Sequence, residues 1–382
     1  MNAEGMKVFY KMKNNTILLI LFLFITCSLP AQDKNNWGLF RGDAKLSGVT
    51  SASLPSTLDL LWSFKTGDNI KSSPVVYGDK IVIGSTDGWV YALTMQGALL
   101  WKFNTTNSIE APAMIVDGIV YCGNLDGALF AIDLNTGKVK WKYKAENQIM
   151  GSPNLFKNGG KNFIVVGSYD YNLHCVDALT GKLKWKYETG NYVNGCAAIN
   201  NNYAIFGGCD GFIHVVNVQT GKLKEKINVG TYIASSATVD NNRAYAGDYN
   251  GKFSCIGINE KKILWKYIEK TDESPFIGSP ALYKNYVVVG NRNKFLYCFD
   301  KNNGKLLWRK TMGGQVDSSP VIAGDKIIIA TMKGDIKIIQ INDGKQLLSY
   351  ELGSPVSGCP AVVDQKIILG ADDGKVYCLG KK

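Results

Sequence analysis

With only two histidines among 382 residues, the chain has almost no material for a histidine-dependent triad or a histidine-rich metal centre. Its nine cysteines include no adjacent pair and no arrangement resembling a zinc site. No run of Lys and Arg reaches five residues, so the formal charge of +11 points to solubility and some affinity for anionic surfaces rather than to a nucleic-acid groove. One strongly apolar run exists, Ile17 to Ile25, and it is too short to span a bilayer.

That run follows Lys7, Lys11 and Lys13, the pattern of a secretory signal. Residues 1–31 are therefore expected to be a signal peptide cleaved after Ala31, giving a periplasmic or secreted protein. Cys27 offers an alternative, a lipoprotein anchored at that residue. Removing 1–31 takes away three lysines and one glutamate and leaves a basic surplus.

Self-similarity decides the architecture. One unit reads as small-Pro, an apolar strand, a polar turn, a second strand ending in Gly, then Asp-Gly, a third strand, Thr-Gly-Lys and a strand ending in Trp-Lys-Tyr. Its clearest copy runs from Ala111-Pro112 to Trp141-Lys142-Tyr143. The second residue of each Asp-Gly gives eight anchors, Gly88, Gly127, Tyr171, Gly211, Gly251, Lys294, Gly334 and Gly374, spaced 39 to 44 residues apart. A four-stranded unit repeated at that period predicts an all-β, eight-bladed propeller of antiparallel blades over 58–382.

The columns carry physical content. Two residues past each anchor every copy is apolar, from Val90 to Val376, and the apolar set recurs four and five residues past it, so the third strand is expected to be buried on both sides. Cys175, Cys255, Cys298 and Cys378 fill a column that elsewhere holds Ala, Val or Ile. Cys196 and Cys359 fill the column of Ser73, Ser236, Ser279 and Ser319. Both sets read as small core residues, with a Cys196–Cys209 disulfide as the alternative. His174 and His214 share a column with Tyr91, Phe130, Tyr297 and Tyr377 and read as ring-sized fillers.

Trp101, Trp141, Trp185, Trp265 and Trp308 close their units, while Glu225 and Leu348 occupy the slot in two others. These indoles are expected to dock on the turn glycine of a neighbouring blade, the set including Gly137, Gly181, Gly221 and Gly304. The last copy stops at Gly380-Lys381-Lys382, before its fourth strand. Leu60-Leu61-Trp62-Ser63-Phe64 reads as that missing strand, so Trp62 should close the ring from the N-terminal side. Residues 32–57, rich in Gly, Ser and Asn, are expected to be a collar or tether.

Residues 123–141 resemble the pyrroloquinoline-quinone-like propeller repeat almost throughout, and Trp37-Gly38-Leu39-Phe40-Arg41-Gly42-Asp43 is similar to the lead-in found before such propellers. The resemblance covers about residues 36–380 and implies the fold. It serves both quinoprotein dehydrogenases and non-enzymatic scaffolds of the BamB-like type. This chain lacks adjacent cysteines and long insertions between repeats, so the expectation is a non-catalytic binding or protein-interaction scaffold in the cell envelope, monomeric, with no cofactor. A quinoprotein dehydrogenase or a glycan-binding propeller is the alternative. Lysines crowd the third-to-fourth turns, which makes Lys182, Lys184, Lys222 and Lys224 a candidate interaction face toward an envelope partner or anionic envelope surface.

Overall fold

The computed structural model describes residues 36–269 and 272–382. The expected signal peptide, with Cys27 and Ala31, lies outside the described residues. Seven blades are continuous in sequence, at 75–104, 114–144, 154–188, 198–228, 238–268, 281–311 and 321–351, and each has four consecutive antiparallel strands. The eighth takes three strands from 361–380 and its fourth from the N-terminal side. Three strands precede blade 1: β1 (Asn36–Trp37), β2 (Val49–Thr50) and β3 (Asp59–Lys65). β3 pairs antiparallel with Lys375–Gly380 in the register Trp62↔Cys378, which closes the ring as the sequence predicts.

The core sits in the third strands. Val90, Leu129, Leu173, Ile213, Phe253, Leu296, Ile336 and Val376 are fully buried, and so is the cysteine-containing column two residues further on. All eight described cysteines carry free thiols. In each blade the third and fourth strands slip register at the same place, just after the residue opposite the tryptophan slot. The extra residue on the outer strand is a β-bulge, which re-aims one side chain and tightens the twist that a stacked ring needs.

Each blade-closing tryptophan docks on the next blade around the ring. Trp101 Nε1 donates to Leu134 O at 2.8 Å, Trp141 to Ala178 O at 3.0 Å, Trp185 to Val218 O at 2.9 Å, Trp265 to Lys301 O at 3.2 Å and Trp308 to Ile341 O at 2.8 Å. Trp62, on the closing strand, does the same with Met95 O at 2.9 Å. The indoles lie against Gly137, Gly181, Gly221, Gly304, Gly344 and Gly97 respectively. At Gly181 the requirement is twofold: φ is +69°, and a Cβ would stand 2.6 Å from the Trp141 ring.

The two missing tryptophans are explained by the same contact. Blade 4 carries Glu225, and the turn it faces on blade 5 carries Lys261 where other blades have glycine; the two form an ion pair at 2.6 Å. Blade 7 carries Leu348, and blade 8 has no third-to-fourth turn to dock on, because its fourth strand is β3.

A side chain at position 181 would force both a left-handed backbone and displacement of the indole. Gly181→Ala should therefore cost about 1–3 kcal/mol. Urea denaturation of the variant checks this, and a midpoint equal to wild type would show that the docking site yields freely.

Candidate functional site

The lead-in segment runs inside the ring rather than around it. β1 pairs with Val75–Tyr77, the innermost strand of blade 1, and the chain then visits the inner strand of every other blade in turn. Gly38 O accepts from Ile115 N at 2.7 Å on blade 2, and Ala44 O accepts from Asn154 Nδ2 at 2.9 Å on blade 3 and from Ile199 N at 2.7 Å on blade 4. Lys45 O, Ser47 O and Gly48 O accept from Val239 N, Leu282 N and Ile322 N on blades 5 to 7. β2 adds a parallel pair with Val321–Ala323, and Thr50 Oγ1 donates to Val362 O on blade 8 at 3.4 Å. Inner strands are edges, and this segment covers their unpaired groups.

Arg41 anchors the segment on the axis. It is fully buried; Nη1 donates to Pro320 O at 2.6 Å and to Cys359 Sγ at 3.3 Å, and Nη2 donates to Pro280 O at 2.8 Å. Trp37 is also buried and packs against Gly42, and Asp43 caps the following turn through Lys45 N and Ser47 N. Thus the channel is stoppered from the side where the first-to-second and third-to-fourth turns lie.

Its opposite mouth is a shallow pit floored by Phe40 and walled by small residues of successive blades, among them Ser73, Gly151, Gly195, Cys196, Ser235, Ser279 and Cys359. Hydroxyls stitch the wall together: Ser236 Oγ accepts from Cys196 N at 2.9 Å, Ser279 Oγ from Ser236 N at 3.1 Å, Ser319 Oγ from Ser279 N at 2.9 Å, and Ser73 Oγ from Cys359 N at 2.8 Å. The column that the sequence presents as small core residues is a hydrogen-bonded belt joining blades.

Of the rim carboxylates that would be the first candidates for a general base, Glu110 and Asp317 are engaged, whereas Glu273 is exposed and Asp372, near Lys71, has a buried oxygen with no hydrogen-bond partner and a pKa raised by burial. Glu110 pairs with Lys71 at 2.9 Å, and Asp317 receives Arg292 through Nε and Nη2, the closest contact being 2.7 Å. Fitting a flat, tricarboxylated quinone here would require cationic partners and a cation site. The pit's one lysine is paired with Glu110, Arg41 lies beneath it and bonds to backbone carbonyls, and no cluster of three or more His, Cys, Asp or Glu side chains suited to a metal exists among the described residues. The residues present do not fit that cofactor.

The two histidines are bridges as well as fillers. His174 Nε2 lies 3.0 Å from both oxygens of Asp170, and its Nδ1 lies 2.9 Å from the Tyr143 hydroxyl. His214 repeats this with Asp210 at 3.1 and 3.0 Å and Tyr187 at 3.1 Å, and Lys226 adds a contact to Asp210 at 3.3 Å. Tyr91 and Tyr377 make the same link, donating to Asp87 and Asp373 at 2.6 Å. Burial opposes ionisation of Asp170 and Asp210, but hydrogen bonding and charge from the histidines outweigh it, holding Asp170 well below the usual carboxylate range and Asp210 down at about 2.

On the stoppered face, Lys184 and Lys224 are the bulged residues of their outer strands. Their ammonium groups lie 3.8 Å and 4.1 Å from the ring centroids of Phe163 and Tyr203. Lys182 and Lys222 are exposed in the adjoining turns. The four are thus presented on one face of blades 3 and 4, partly offset nearby by pairs such as Lys140–Asp133 at 3.2 Å.

A closed ring of eight four-stranded blades with an inward lead-in defines a PQQ-like propeller. A family model described as outer membrane protein assembly factor BamB matches residues 86–291 and 292–382, and the chain belongs to that family. Among solved structures it resembles BamB from Moraxella catarrhalis, at 19% identity and a TM-score of 0.71 over 85% of this chain and 98% of that one. It also resembles a europium-containing methanol dehydrogenase, at 14% and 0.74 over 92% and 99%, and the quinohemoprotein alcohol dehydrogenase from Comamonas testosteroni, at 15% and 0.76 over 92% and 82%. At such identities the likenesses establish the fold alone. No curated protein matches the sequence significantly.

A carboxyl whose ionisation is depressed on folding contributes stability above its unfolded value, about 4, and loses it as pH falls through the folded value. The melting temperature should therefore drop between about pH 4 and pH 2, and the Asp170→Asn, Asp210→Asn double variant should drop less steeply over that window while being less stable at neutral pH. Superimposable pH profiles would contradict the assignment.

Proposed function

We propose that this protein is a non-catalytic, BamB-like propeller of the cell envelope that works as a binding or protein-interaction scaffold. The observation that carries this reading is the occupied axis: the lead-in segment fills the channel, and the rim carboxylates Glu110 and Asp317 are held in ion pairs. What remains for partners is surface. Export follows from the secretory pattern of residues 1–31, with cleavage after Ala31 or anchoring at Cys27. Among the described residues no helix is long and apolar enough to cross a membrane.

Asn36 Oδ1 accepts from Gly78 N at 2.9 Å, at the first-to-second turn of blade 1, so the chain enters the ring on the lysine-bearing face. A tether at that point would hold this face toward whatever it is attached to. Lys182, Lys184, Lys222 and Lys224 then meet an anionic envelope surface, and the pit faces away from it.

Cross-linked capture of the mature protein from envelope extract should recover a defined protein partner, and incubation with pyrroloquinoline quinone and calcium should give neither stoichiometric binding nor dye-linked oxidation of alcohols. Quinone-dependent turnover would sink the scaffold reading. Reversing the four lysines to glutamate should weaken binding to anionic vesicles at low salt by about tenfold or more, with only a small fall in melting temperature from the lost ring contacts of Lys184 and Lys224. Equal binding by the variant would remove that face from consideration.

A further inference from the structure

The rim of the pit is uneven in chemistry. On blades 3 to 5 it carries tyrosines that the repeat does not require. Tyr169 and Tyr192 stack with ring centroids 4.4 Å apart and an interplanar angle of 22°, and Tyr232 and Tyr249 stack at 4.7 Å and 27°. Tyr171 leans on Tyr192 at 5.3 Å. It does so from a left-handed backbone, φ +72°, at the anchor position where six blades have glycine. Blade 6 holds Lys294 there at the same φ, so it is the ring contact and the exposure that set Tyr171 apart.

These rings are not core. Tyr171, Tyr192, Tyr232 and Tyr249 are 37–42% exposed, an unusual density of open aromatic surface for one rim. They adjoin the pit directly. The Tyr169 hydroxyl donates to Asn194 Oδ1 at 3.0 Å, and Asn194 lines the pit wall together with Ala234 and Ser235, which follow Tyr232 in the chain. Ser235 is 4% exposed and its hydroxyl has no hydrogen-bond partner, as is true of Ser357 across the pit. A buried hydroxyl left unpaired at the bottom of an open depression can hydrogen-bond a polar ligand atom.

Most of the charges on the tyrosine side of the rim are already matched, Glu273 excepted. Lys71 is paired with Glu110, Arg292 with Asp317, and Asp170 and Asp210 with histidines. Flat aromatic faces beside unpaired hydroxyls and an amide suit a molecule with an apolar C–H face and a fringe of hydroxyls, which is a sugar ring.

We propose that the tyrosine shelf and the pit together form a binding site for a neutral oligosaccharide, one ring stacking on the Tyr192 or Tyr249 face and a terminal ring hydrogen-bonding Ser235. The proposal rests on the reading of the protein as a binding propeller and adds a ligand class to it. Calorimetric titration of the mature protein with neutral glucan, mannan and N-acetylglucosamine hexasaccharides tests it. At least one should bind, Tyr192→Ala and Tyr249→Ala should each weaken that binding about tenfold or more, and Tyr192→Phe should restore it. Ser235→Ala should weaken binding with no fall in melting temperature. Failure of the whole series to bind, or binding indifferent to the tyrosines, would overturn the proposal. So would loss of captured envelope protein, without sugar binding, in the tyrosine variants, since that would assign the shelf to a protein. Failure of the non-catalytic reading would instead show as quinone-dependent turnover, which the titrations do not measure.

Discussion

A ring of sheets has no natural end, and in this protein one stretch of chain, residues 36–65, supplies what the ring cannot provide for itself. β3 completes the eighth blade at the circumference, and the segment from Trp37 to Thr50 satisfies the inner-strand edges of all eight blades at the centre. Arg41 ties it there through two backbone carbonyls on neighbouring blades and the Cys359 thiol. Breaking such a buried, charge-assisted network leaves carbonyls and a charge unpaired together, a larger loss than any single surface contact. Everything proposed about function depends on this, because a stoppered axis turns a channel into a pit.

Between blades the unit of cohesion is an indole resting on a glycine turn, and its exceptions show that the contact is pairwise. Where glycine is replaced by Lys261, tryptophan is replaced by Glu225; where the facing turn does not exist, Leu348 suffices. The same economy governs the Asp-Gly turns, whose aspartates accept from Tyr91, His174, His214 or Tyr377, all at one position of the repeat. Structural demand thus accounts for both histidines and most of the turn carboxylates.

The repeat made the ring legible because every blade solves one packing problem, so eight copies of each column are available in a single sequence. Closure by Trp62 was legible for a related reason: the last copy lacks a strand that the first residues can supply. The course of the lead-in was not, since Trp37 to Asp43 occurs once and its hydrogen bonds run through backbone carbonyls with no residue signature. Nor was the belt of Ser73, Ser236, Ser279 and Ser319, because a small residue in a core column looks alike whether it fills space or accepts a hydrogen bond. The tyrosine shelf lies where the repeat is not conserved between blades, at Tyr169, Tyr171, Tyr192, Tyr232 and Tyr249, and only folding brings those positions to one rim.

The axis stays closed only if the lead-in is part of the rigid fold. Native-state hydrogen exchange measures this at the amides of Ile115, Ile199, Val239, Leu282 and Ile322, which all donate to the segment. They are predicted to exchange only with global unfolding, at the same free energy as third-strand amides such as those of Leu129 and Leu296. Exchange at those five sites by a much easier local opening would mean that the segment leaves the axis readily and that the channel is open in solution.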